Sequence, residues 1–195
     1  MVILGGLFAG IFLSSIETYW QPAFIKIDNN ENNGWLLGII TFFGFLAVTL
    51  GNVISQKLLD KYKSGHMAVF LIGRGILACM LIVFALQKGS IGFVAVYTTM
   101  YLLLGISNIS ESTIINRYTP NQMRASVLSL YSLFLQIGLM CASLISSIAI
   151  KHLYFSGVWI IMACLMGGYI LSISVVEVWI KKKEAGKIKE LDNLV

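Results

Sequence analysis

The sequence predicts an all-α integral membrane protein with six transmembrane helices. Of its 195 residues, 57% are hydrophobic and only 12% are charged, and the mean hydropathy is +0.84. Soluble domains carry about 25% charged residues, so a soluble fold could not cover this much apolar surface. The apolar residues form continuous runs rather than the alternating pattern of a membrane barrel. Because backbone groups in lipid must be paired within their own segment, the runs are predicted to be helices.

Six apolar runs are long enough to cross a bilayer, which takes about 20 residues of helix. Short polar connections separate them, and a lysine-rich tail follows the last one. The predicted spans cover residues 2–25, 35–56, 67–87, 91–110, 125–150 and 157–180, and the tail covers 181–195.

The basic residues indicate the orientation of the helices. Ten lysines and arginines lie in the second and fourth connections and the tail, whereas the other three connections hold one lysine each. Connections rich in basic residues remain in the cytoplasm, so both termini are predicted to be cytoplasmic. Trp20, Trp35 and Trp159 are then expected at the outer interface and Trp179 at the inner one, as interfacial anchors.

Charge and cysteine content argue against a nucleic-acid site, a disulfide and a metal site. The formal net charge is +5, but the basic residues are divided among connections and the tail, so no nucleic-acid partner is predicted. Cys79, Cys141 and Cys164 lie within apolar runs, without CxxC spacing or a histidine nearby in sequence. They are expected to be buried apolar side chains rather than disulfides or metal ligands, and no cofactor is predicted.

Some six-helix membrane proteins are intramembrane serine proteases, and in such an enzyme Ser107 would be the nucleophile. Such an enzyme needs a base beside the serine within the membrane. The two histidines, His66 and His152, lie in or beside connections on opposite sides of the predicted bundle. The chain is therefore predicted not to be an enzyme.

A polar stretch, SSIETYWQPAF, interrupts the first apolar run. Glu17 lies about 12 Å of helix before the end of the span at Ile25, which places a carboxylate within the hydrocarbon. Ionisable residues there usually face the bundle interior or a water-filled cavity. Gln21 is on the same face of the helix, so both are candidate ligands of a proton or substrate. The alternative for Glu17 is a structural hydrogen bond to a neighbouring helix.

Further candidates for the substrate site come from aromatic and amide side chains. Tyr19 and Trp20 flank Glu17 and could hold a cation over their rings, although such aromatics are also common lipid-facing anchors. Asn108 lies in a polar run, GISNIS, at the end of the fourth span, and Gln136 lies near the middle of the fifth. Most small residues of the fifth span are expected to serve helix packing.

Charges at the inner ends of the spans suggest a gate. The connection between the fourth and fifth spans is unusually rich in charge for a chain with so few charged residues, since it holds Glu111, Arg117 and Arg124. Such groups can form salt bridges that open when helices rock. A solvated loop is an equally good interpretation. Arg74, one-third into the third span, is expected to extend its guanidinium to the headgroups rather than pair with a carboxylate.

Two motifs resemble those of the major facilitator superfamily. The segment NRYTPNQMRASVLS is similar to an N-x-x-x-P-x-x-x-R-A-[ST]-x-x-S pattern seen in many bacterial members. The segment GNVISQKLLDKY resembles the degenerate second copy of the family's signature loop, without the paired arginines of the first copy. The resemblance extends over the whole chain and looks like the carboxyl-terminal six-helix half of a transporter.

The resemblance implies both a function and a division of roles. The spans holding Glu17 and Asn108 would line a central cavity, and Asp60, Glu111 and Arg124 would lie at the cytoplasmic gate. The function it implies is transport of a small molecule by alternating access. We expect proton-coupled efflux across a bacterial plasma membrane, with an amino-terminal half or a second copy completing the bundle. The alternative is a truncated or non-transporting bundle that works only within a larger assembly.

Overall fold

The computed structural model describes residues 2–29, 34–61 and 66–192. These residues form five α-helices: α1 (Val2–Asp28), α2 (Gly34–Lys61), α3 (His66–Ala85), α4 (Ser90–Tyr118) and α5 (Arg124–Asp192). A short 3₁₀ turn, Asn121–Met123, precedes α5. The predicted all-α class is thus confirmed for the described part of the chain.

The long helix α5 is not one straight element. Its 69 residues contain one break, at Tyr154, where φ is 55° and ψ is −173°. A positive φ is rare for a residue with a side chain and marks a local change of direction. The predicted fifth and sixth spans lie on either side of this break. We call the two parts α5a (124–153) and α5b (155–192).

Within the described part of the chain, four stretches are long and apolar enough to cross a membrane: Gly34–Asp60, Met67–Ala85, Ser90–Tyr118 and Asn121–Trp179. The last of them contains both α5a and most of α5b, because the break does not end the helix. Helix α1 has 27 residues, about 40 Å at 1.5 Å per residue, which exceeds the roughly 30 Å hydrocarbon core. The chain is an apolar helical bundle of membrane type, and the number of six spans stays a prediction.

Two helix pairs approach so closely that only glycine fits between them. A Cβ added to Gly10 would overlap the Leu135 carbonyl oxygen, and one added to Gly138 would overlap that of Leu7. These contacts join α1 to α5a. Small residues at helix interfaces allow such close backbone approach in membranes, so α1 and α5a behave as one packed pair.

The second close pair is α2 with α4. A Cβ on Gly51 would overlap the Leu102 carbonyl oxygen, and one on Gly105 would overlap that of Val48. The hydroxyl of Ser55 also donates to the Ile106 carbonyl oxygen at 2.9 Å. Helix α3 then packs against both α4 and α5, which joins the two pairs into one bundle.

These close approaches give the first testable expectation. Gly138→Ala should lower the free energy of unfolding by about 1–3 kcal/mol, the usual cost of overpacking a tight contact. Gly75→Ala is the matched control, because nothing lies within 4 Å of a Cβ at that position, and alanine favours helix by about 1 kcal/mol. Heating the detergent-solubilised protein and measuring loss of the folded fraction compares the two. Equal midpoints would contradict the close α1–α5a contact.

An aromatic cluster fills the bundle between α1, α3, α4 and α5b. Phe84 contacts Phe93 and Trp159 with ring centroids 4.3 and 4.5 Å apart, and Trp20 lies 4.8 Å from Tyr97. Trp20 and Trp159 are only 1% and 3% exposed. The expectation that these two tryptophans anchor an interface is therefore wrong: both belong to the core, and the Trp159 indole donates to the Ser15 carbonyl oxygen.

The cysteines also lie elsewhere than expected. Cys79 and Cys164 are exposed and Cys141 is half-buried, so the prediction of burial is wrong for these three. The reason is physical: in a membrane an apolar side chain gains little by turning away from lipid. Exposed apolar residues on α2, such as Phe42 and Phe45, have the same explanation.

Candidate functional site

The first polar contact of the bundle joins α1 to α4. The hydroxyl of Tyr101 donates a hydrogen bond to Glu17 Oε1. Tyr101 is 4% exposed, whereas the Glu17 side chain is exposed at the surface of the described chain. The Glu17 carboxylate thus accepts a hydrogen bond from the buried Tyr101 hydroxyl, while the rest of its side chain stays accessible.

The packing of Tyr101 explains why its hydroxyl points at Glu17. Its ring lies 4.4 Å from that of Tyr97, which in turn contacts Trp20. Gly44 on α2 faces the same rings, since a Cβ there would lie 3.0 Å from Tyr97 and 3.4 Å from Tyr101. The Tyr101 ring therefore packs against Tyr97 and faces Gly44 of α2, and its hydroxyl points towards Glu17 on α1.

The second polar contact is a buried ion pair between α3 and α4. Arg74 Nη2 lies 2.5 Å from Glu111 Oε2, and both side chains are 2% exposed. The expectation that Arg74 extends to the headgroups is wrong. Removing an ion from water into a low-dielectric interior costs several kcal/mol, and Glu111 offsets that cost because its charge balances the guanidinium at contact distance.

Unsatisfied polar atoms surround the ion pair. Among the described residues, the buried atoms without a hydrogen-bond partner include Arg74 Nη1, Ser107 Oγ, Glu111 Oε1 and the Tyr169 hydroxyl. Gly5 makes room for two of them: a Cβ there would overlap Glu111 Oε1 and lie 2.8 Å from the Tyr169 oxygen. Groups from α1, α3, α4 and α5b thus converge on Glu111.

The two polar contacts lie at different depths. Tyr101 and Glu111 are ten residues apart on α4, about 15 Å along the helix axis. On α1 the matching positions are Glu17 and Gly5, about 18 Å apart. Helices α1 and α4 are therefore antiparallel neighbours, with the exposed Glu17 carboxylate at one level and the buried Arg74–Glu111 pair at the other.

The predicted substrate residues divide between surface and core. Glu17, Gln21, Asn108 and Gln136 are exposed, as ligands of a cavity between two bundles would need to be. The aromatics differ from them, since Trp20 is buried and Tyr19 is half-buried, 6.1 Å from Phe155.

One predicted residue is tied to the ion pair. Arg74 Nη2 also donates to Asn108 Oδ1, at 3.3 Å. The exposed amide and the buried charges therefore form one network. The structure brings Asn108, Glu111 and Arg74 together and places Glu17 with Tyr101.

The predicted gate residues differ in burial, and their grouping stays a prediction. Glu111 is buried with Arg74, whereas Asp60, Arg117 and Arg124 are exposed. Arg124 Nη2 donates to the Asn116 backbone carbonyl oxygen at 3.4 Å. The ion pair of Glu111 with Arg74 thus lies within the bundle rather than in the connection between α4 and α5.

A groove opens where α5 begins. Its volume is about 560 Å³, and its walls are formed by Ala125, Ser126, Ser129, Leu130 and Leu133. No ionisable side chain is among these residues, so the groove offers hydroxyl and apolar contacts but no charge. Glu17, by contrast, presents an exposed carboxylate in the middle of α1.

Sequence reasoning missed Tyr101, Tyr169 and the partner of Arg74. Tyr101 could have been found from its spacing, because it precedes Asn108 by seven residues and so lies on the same face of α4. Tyr169 and the Arg74–Glu111 pair carry no such signal. Their residues are joined only by the packing of α3 and α5b against α4.

Comparison with known proteins gives the family. No curated protein and no solved structure matches the chain. A family model does match, over residues 2–193, and it is that of the Major Facilitator Superfamily. Since the match spans nearly the whole sequence, the chain belongs to the Major Facilitator Superfamily of membrane transporters.

Proposed function

We propose that the chain is one half of a proton-coupled transporter that exports a small molecule by alternating access. The single observation that carries this proposal is the exposed Glu17 carboxylate in the middle of α1, held by the buried Tyr101 hydroxyl. A carboxylate within an apolar span is costly, by about 2.5–3.5 kcal/mol for a charge at a helix centre. Binding a proton or a cation removes that cost.

The half-transporter proposal is supported by the side chains that the bundle leaves uncovered. Glu17, Asn108 and Gln136 are all exposed, although each lies within a long apolar helix. Polar groups at membrane depth normally face protein or a water-filled cavity. A second bundle, either an amino-terminal half or another copy of this chain, would cover them and enclose a cavity, and the two bundles would rock against each other.

Export follows from competition for one carboxylate. If a proton and a cationic substrate both neutralise Glu17, they cannot occupy it together, so they must cross the membrane in opposite directions. Protons flow inwards across an energised plasma membrane, and the substrate then moves outwards. The Arg74 charge does not oppose a cation, because Glu111 balances it at 2.5 Å.

Transport by the purified full-length gene product tests the proposal. The protein is reconstituted in liposomes, a pH gradient is imposed, and ethidium serves as a fluorescent amphipathic cation. We expect ethidium to accumulate on the acidic side and to leave when an ionophore collapses the gradient. Absence of gradient-driven accumulation would contradict proton-coupled export and favour the non-transporting bundle.

A further inference from the structure

The orientation of the Asn108 amide is determined by Arg74. A guanidinium has only donors, so the atom of Asn108 that faces Arg74 Nη2 at 3.3 Å must be the carbonyl oxygen. The amide nitrogen then lies on the other side of the side chain. This assignment follows from the chemistry of the partner, since oxygen and nitrogen of an amide are otherwise hard to tell apart.

The amide nitrogen of Asn108 is available to a ligand. The side chain is exposed, and its hydrogen bond among the described residues is the one that its oxygen accepts from Arg74. Arg74 is held in turn by Glu111, and both are buried. Asn108 is therefore a fixed donor at the surface of the bundle rather than a freely rotating amide.

Asn108 and Glu17 are both exposed, and we call these two side chains and the surface between them the strip. Tyr101, which holds Glu17, precedes Asn108 by seven residues, so the two α4 residues point to the same side of the helix about 10 Å apart. The strip offers an anionic acceptor at one end and an amide donor at the other.

We propose that Asn108 donates a hydrogen bond to the substrate, and that the substrate is an organic cation carrying a carbonyl or ether oxygen about 10 Å from its charge. The inference rests on the proposed function, because it takes Glu17 as the partner of the positive group. Arg74 is the positioning residue: it acts through Asn108 and does not touch the substrate.

Two matched probes test this inference by calorimetric titration of the full-length protein in nanodiscs. One is octyltrimethylammonium, and the other is its analogue ending in a methyl ketone. We expect the ketone to bind about three- to tenfold more tightly, the effect of one added hydrogen bond. Asn108→Leu and the isosteric Asn108→Asp should both abolish this preference, since neither presents a donor. The control Gln87→Leu should keep it, because the Gln87 amide donates to the Val83 carbonyl oxygen at the far end of α3.

Each contrary result has a clear meaning. Equal binding of the two probes to the unmodified protein would overturn the inference, as would a ketone preference that survives in both Asn108 variants. Failure of either probe to bind would also overturn it. Loss of the ketone preference in a protein that still drives ethidium transport would remove the inference alone, whereas loss of that transport would contradict the proposed function.

Discussion

Removing one partner of the buried Arg74–Glu111 pair is expected to lower the free energy of unfolding by about 3–5 kcal/mol, because it leaves the other charge buried and uncompensated. Both side chains are 2% exposed, so neither can turn to water without opening the bundle. The loss of stability should be similar for Glu111→Leu, which leaves the guanidinium unpaired, and for Arg74→Met, which leaves the carboxylate unpaired.

The double variant Arg74→Met, Glu111→Leu separates the contribution of the two charges to stability from that of side-chain packing. Replacing a whole buried ion pair by apolar side chains of similar volume is often neutral or stabilising, so the double variant should be more stable than either single one. Unfolding of the full-length protein in mixed micelles measures all four forms of the cycle. Single losses below about 1 kcal/mol, or additive losses in the double variant, would contradict a buried and tightly coupled pair.

Glu17→Gln is expected to abolish gradient-driven transport while leaving the fold intact. The amide keeps the shape of the side chain and can still accept from Tyr101, but it can neither bind a proton nor attract a cation. In the ethidium assay, accumulation should fall to that of empty liposomes. Tyr101→Phe keeps the carboxylate and removes its donor, so it should weaken transport without abolishing it.

The control for this variant is Glu177→Gln. Glu177 is a half-buried carboxylate towards the end of α5, and its replacement changes the net charge by the same amount. It should transport like the unmodified protein. Gradient-driven accumulation that persists in Glu17→Gln would contradict the role of Glu17, whatever the behaviour of the control.

The membrane class, and the need of Glu17 to face protein or water, could be predicted from sequence because both depend on local features. Long apolar runs specify helices in lipid, and a carboxylate within one of them must meet water or protein. The family follows from motifs near Arg124 and Asp60, and the match over residues 2–193 agrees with it.

The inside of the bundle could not be predicted, for a physical reason. In water an apolar stripe marks the face of a helix that turns inward, but in lipid both faces are apolar. Hydropathy therefore does not indicate that Trp20 is buried or that Cys79 is exposed. The Arg74–Glu111 pair joins residues 37 positions apart, and only the packing of α3 against α4 brings them together.

The proposed transport mechanism requires Glu17 to take up and release a proton. Infrared difference spectroscopy of the full-length protein between acidic and alkaline buffer measures this directly, through the carbonyl stretch of a protonated carboxyl group. Subtracting the Glu17→Gln spectrum isolates the contribution of this one residue. We expect a carboxylic-acid band that appears on acidification and is missing from the variant. Identical difference spectra for the two proteins would contradict it.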